Sequence, residues 1–140
     1  MSREMKIRWR WLKGMYIYTI VGAGGFGLGI LLVPGTVGSL VGGPPVEPLV
    51  FGITGSVYVA FALLSVLGLR SPLKFSPILL LQLGYKSIWF ITVVLPMLAA
   101  GRLPAYGVLP VAIYTTYIIG DLIAIPFGYV FAGPEDRAWV

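Results

Sequence analysis

Four apolar runs, spanning 14–33, 48–69, 77–100 and 105–131, take up most of this 140-residue chain. Each reaches the roughly 20 residues a helix needs to cross about 30 Å of hydrocarbon. Membrane strands need only about 10 residues and alternate in polarity, and no such alternation is present. Hydrophobic residues make up 58% of the chain and charged ones 11%, with a mean hydropathy of +0.93. A soluble domain carries about 25% charged residues. A chain this short leaves too much of its surface wet to hide so much apolar area from water. The expected fold is one all-α integral membrane domain, a four-helix bundle in a bacterial-type inner or plasma membrane.

Loop charge sets the expected orientation. Of the 10 basic residues, Arg3, Lys6, Arg8, Arg10 and Lys13 precede the first run. Arg70 and Lys74 lie between the second and third runs, whereas 33–48 holds no cation and 101–106 only Arg102. Cytoplasmic loops collect Lys and Arg, so both termini are expected in the cytoplasm. Trp9 and Trp11 among these charges suit an interfacial anchor better than a base-stacking platform, and no nucleic-acid partner is expected. The first run is longer than a signal-peptide core and no A-x-A-like site follows it, so it is expected to remain as a span.

The chain contains neither Cys nor His. Disulfides, thiolate chemistry, the usual zinc sites and His-ligated haem are excluded, and no metal site or cofactor is expected. Gly22-x-Gly24-x-x-Gly27 after an apolar run, with Glu47 20 residues on, matches the dinucleotide fingerprint. That motif needs a soluble βαβ unit, and here it would place a pyrophosphate inside the membrane. The glycines read better as packing surfaces. Gly25-x-x-x-Gly29, Ala23-x-x-x-Gly27 and Gly52-x-x-x-Ser56 are small-xxx-small pairs of the kind that let membrane helices approach closely.

Two charges fall deep inside spans. Lys86 lies nine residues past Pro77, about 14 Å in, and Asp121 ten residues before Phe131, about 15 Å from the same side. An isolated charge at that depth costs a few kcal/mol, which a partner of opposite sign lessens. The third and fourth spans are neighbours across a short loop, so a Lys86–Asp121 ion pair is expected. Gln82 and Trp89 share a helical stripe with Lys86; Tyr114 and Tyr117 share one with Asp121; Thr54 and Tyr58 are four apart on the second span. Together they are expected to line a polar pocket midway through the membrane. Polar groups between spans also serve simply as glue.

FGITGSVYVAFALLSVLGLRSPLKFSPILLLQL, 51–83, resembles the middle of DoxX-like small membrane proteins, with Gly52, Gly55, Gly68, Leu69 and Arg70 carrying the likeness. It covers about a quarter of the chain. The resemblance implies four helices and at most an accessory role near quinone or thiol redox systems, and it carries over no catalytic residue. Three functions compete. The first is a non-catalytic accessory subunit or assembly partner, working with other membrane subunits or as a homo-oligomer, with room for a bound lipid or quinone. The second is an oligomeric transporter or channel using Lys86 and Asp121. The third is an intramembrane enzyme on a lipidic substrate, with Asp121 as acid/base.

Since the chain has no cysteine of its own, single Lys74→Cys and Ser39→Cys variants report orientation cleanly. Lys74→Cys should react with impermeant maleimide only from the cytoplasmic side and Ser39→Cys only from the other; the opposite pattern inverts the topology.

Overall fold

The structure is a computed structural model that describes residues 6–45 and 47–134. Arg3 and the charged tail 135–137 lie outside them. The described residues contain no strand. Four helical stretches are long and apolar enough to cross a membrane: Trp9–Leu32, Pro48–Arg70, Ser76–Ala99 and Ala105–Ala124. They build helices α1 (Trp9–Leu32), α3 (Pro48–Arg70), α4 (Ser76–Trp89) with α5 (Leu95–Ala99), and α6 (Val108–Ala124). A short helix α2 (Pro34–Val41) lies between the first two spans, and α7 (Phe127–Val130) follows the last.

The ends of these helices follow from local chemistry. The Glu47 carboxylate caps α3 by accepting from the backbone N–H of Leu49 (3.0 Å) and Val50 (2.9 Å), and Pro48 fills the first helical position. Those two bonds hold the Glu47 carboxyl below its ordinary range. The cap is therefore complete above the unfolded carboxyl's pKa and is lost as pH falls through the lowered folded value. At the end of α5, Gly101 takes φ +64°, and Arg102 N–H reaches back to Met97 O at 2.8 Å. That six-to-one closure suits glycine.

Three features depart from uniform helices. The Gly/Pro-rich stretch 33–48 contains α2 rather than open loop; its Val37 packs against Gly29. The third span passes through a π turn at Phe90–Val94, where Leu95 N–H bonds to Phe90 O. Pro96 follows at once; its ring crowds the preceding turn, and a widened turn relieves the clash. The fourth apolar run does not continue to Phe131 as one helix, because the backbone is extended at Ile125 and Pro126 interrupts it.

Helix α1 packs chiefly against α3, at Gly24, Gly27 and Ile30 on one side and Gly55 and Ala62 on the other. A Cβ on Gly27 would lie 2.8 Å from Gly55 O, and a Cβ on Gly55 would lie 2.7 Å from Ile30 Cγ2. The two backbones touch only because both side chains are hydrogen. Within one chain the close contact uses other small residues than the expected pairs. Gly25 and Gly52 face open space, Ser56 is exposed and spends its hydroxyl on Gly52 O at 2.8 Å, and Gly29 serves α2. The contact register is that of Gly24 and Gly27, one face around from Gly25. Outward-facing side chains such as Val21, Leu32, Leu63 and Ile88 give the bundle an apolar exterior suited to lipid.

The register has a direct test in detergent. Gly27→Ala should cost about 1–3 kcal/mol of unfolding free energy, as overpacking does. Gly25→Ala should stay within about 0.5 kcal/mol of wild type. Equal costs would mean that Gly27 meets a helix no more closely than Gly25 does, and a larger cost at Gly25 would reverse the register.

Candidate functional site: a lysine caged by tyrosines under an apolar cavity

Lys86 is 2% exposed and Asp121 is fully buried, so both charges lie inside the bundle as expected. They do not form the expected ion pair, and no salt bridge occurs among the described residues. Both oxygens of Asp121 instead accept from the Gln82 side-chain amide, at 3.0 and 3.3 Å. The single proton of the Thr19 hydroxyl is shared between Met15 O at 2.8 Å and Gln82 Oε1 at 3.3 Å. A polar relay thus crosses from α1 through α4 to α6, with all three side chains buried.

Asp121 sits opposite Gln82, one turn lower than Lys86, for a geometric reason. Counting residues at a uniform 1.5 Å rise places Asp121 beside Lys86. The π turn in the third span advances less per residue, and the tighter turn at Ala105–Gly107 advances more. Both shift Asp121 down relative to the third span.

Aromatic rings surround Lys86. Its Nζ lies 4.2 Å from the ring centre of Tyr114, 4.3 Å from Tyr85, 4.6 Å from Tyr117 and 5.8 Å from Tyr58. It donates to the Tyr85 hydroxyl. The hydroxyls of Tyr58 and Tyr114 are bonded to each other, and Trp89 meets Tyr114 edge-on with ring centres 4.9 Å apart. Ring faces are the negative pole of the aromatic quadrupole and attract a desolvated ammonium. Aromatic attraction thus replaces the contact with a carboxylate.

The cage is held from behind. Tyr117 stacks on Tyr18 with ring centres 4.2 Å apart, and its hydroxyl donates to Tyr18 O at 3.2 Å. The hydroxyl passes where a side chain on Gly22 would stand, so a glycine of the dinucleotide-like pattern is a slot for a tyrosine. Gly22, Gly24 and Gly27 all lie within α1, not in a strand-to-helix turn.

A cavity of about 540 Å³ opens above the cage. Lys86, Tyr58, Tyr85, Tyr114 and Tyr117 form its floor; Phe26, Ile30, Phe51, Leu109 and Val41 of α2 line the walls toward the end of the bundle away from the N-terminus. On the other side of the cage the bundle is filled by Leu12, Met15, Tyr16, Leu79, Leu83 and Ala124. Asp121 and Gln82 do not line the cavity.

Of the residues expected to share a pocket, Lys86, Tyr58, Trp89, Tyr114 and Tyr117 come together at the cavity, and Gln82 and Asp121 form the layer beneath. Tyr85, Tyr18 and Thr19 escape the spacing rule: Tyr85 is adjacent to Lys86, and neighbours in a helix do not normally share a stripe. Thr19 is a mid-span hydroxyl whose bond to its own helix gives no sign of the Gln82 contact. Among the described residues no three His, Cys, Asp or Glu side chains gather.

The relay makes a quantitative expectation. In a Gln82→Leu, Asp121→Leu cycle in detergent, the two residues should couple by about 0.6–1.7 kcal/mol, the range for hydrogen bonds between membrane helices. Additive costs would show that the amide does not hold the carboxylate.

No protein-family model matches the chain, and no curated protein or solved structure shows a significant similarity to it.

Proposed function

We propose that this protein is a non-catalytic integral membrane protein that holds a lipid-sized apolar molecule in the cavity and serves as an accessory subunit or assembly partner of a larger complex in a plasma-type membrane. The cavity carries this reading. Its volume of about 540 Å³ falls within the usual range for small-molecule sites, its walls are apolar, and one cluster of polar groups lies at its floor.

The arrangement favours holding over conducting. A path for ions or polar solutes needs a wetted route on both sides of the charge, and here apolar side chains fill the bundle below the Gln82–Asp121 layer. It also favours holding over chemistry. Asp121 is the only carboxylate within the spans, it is fully buried, and both its oxygens are engaged by Gln82. An acid/base must reach the proton it moves. The accessory role rests on small size and on the resemblance to DoxX-like proteins around Gly52, Gly55, Gly68, Leu69 and Arg70.

Native mass spectrometry of protein extracted gently from its own membranes tests this reading. The wild type should carry an apolar adduct of lipid mass and co-migrate with other membrane subunits. Thr54→Trp, which fills the cavity from α3, should remove most of the adduct without unfolding the chain. Equal adduct on both proteins, or none on either, would remove the cavity from the function.

A further inference from the structure

The floor of the cavity specifies the head of the molecule it holds, a deduction that rests on the holding role proposed above. An ammonium has three N–H donors. The Tyr85 hydroxyl takes one, and the other groups around Nζ are ring faces, which attract the charge without supplying a lone-pair acceptor of ordinary strength. Lys86 itself lines the cavity. Donor capacity therefore faces the open volume, and an oxygen acceptor entering from above completes it. The Tyr58 and Tyr114 hydroxyls share one hydrogen bond, which leaves a single neutral O–H between them, a weaker donor than the ammonium.

The charge of that head follows from electroneutrality. Asp121 lies one layer below Lys86, held by Gln82, which stands one helical turn from Lys86. The formal charges of Lys86 and Asp121 sum to zero, and the sum stays zero if a proton passes from one to the other. An anionic head beside Lys86 would leave one uncompensated negative charge at mid-membrane. A cationic head would meet the ammonium directly. A neutral head carrying a carbonyl, ether or hydroxyl oxygen satisfies the free donors and leaves the balance intact, and it is also the head that crosses hydrocarbon at least cost. We propose that the cavity takes a neutral amphiphile whose oxygen acceptor accepts a hydrogen bond from the Lys86 ammonium, while its apolar body lies between Phe26, Ile30, Phe51 and Leu109.

Four photoreactive probes of equal chain length test this on the wild-type protein in nanodiscs. Each bears a mid-chain diazirine and ends in a methyl ketone, a sulfonate, a trimethylammonium or a plain methyl group. All compete for labelling of cavity residues. The ketone should label at concentrations at least about tenfold lower than the other three, the margin expected for a hydrogen bond to a charged donor. In Lys86→Met the ketone should fall to the level of the methyl probe. If the sulfonate or the trimethylammonium labels best, the head is charged and the proposal is overturned. If ketone and methyl probes label the cavity equally, the holding role stands and the head assignment fails. If no probe labels the cavity, the holding role itself fails. The ranking on wild type decides the matter even where Lys86→Met does not fold.

Discussion

A charge in the middle of a bilayer must find its solvent inside the protein. Lys86 finds it in tyrosine. The rings of Tyr58, Tyr114 and Tyr117 and the hydroxyl of Tyr85 surround the ammonium, and the carboxylate that balances it is held one layer away by an amide. Separating the two charges has a structural consequence. A direct Lys–Asp contact would use the donors and acceptors of both groups and close the space between the helices. With Gln82 holding Asp121, the ammonium is left facing a hollow.

That division organises the bundle along its length. Toward the N-terminus, Leu12, Tyr16, Leu79 and Leu83 fill the interior, and the Tyr16 hydroxyl ties the first span to the turn after the second by donating to Pro72 O at 2.6 Å. Toward the other end the helices part around an open-mouthed cavity instead, with α2 at its edge. Two of the three departures from uniform helix, α2 and the π turn, lie on the hollow side, and the break at Ile125 and Pro126 lies on the filled side. The π turn begins just after Trp89, and Pro110 lines the cavity near the start of α6. π turns recur at functional sites in helices, where they reposition side chains at small cost.

The glycines make a related point about packing in lipid. Without a hydrophobic effect to drive helices together, contact depends on close fit. Gly27 and Gly55 let two backbones touch, and Gly22 admits the tyrosine whose ring backs the lysine. One set of small residues thus supplies both the helix contact and the cage.

Much of the architecture was legible in the residues alone. Four runs of this length and polarity pointed to four helices able to cross a membrane, since lipid tolerates no unsatisfied backbone. Depth along a span is a matter of counting, so the burial of Lys86 and Asp121 could be read directly, and helical stripes brought Tyr58, Trp89, Tyr114 and Tyr117 to the right neighbourhood. Which partner each charge takes could not be read. It depends on small differences in rise, set by a π turn and a tight turn, that no residue count contains. The choice of Gly27 over Gly25 likewise turns on helix rotation, which only the fit of one helix against another decides. Composition and periodicity determine what must be buried and at what height; the meeting of surfaces determines which atoms touch, because contact energies fall off within an ångström or so and the pattern of residues is not resolved that finely.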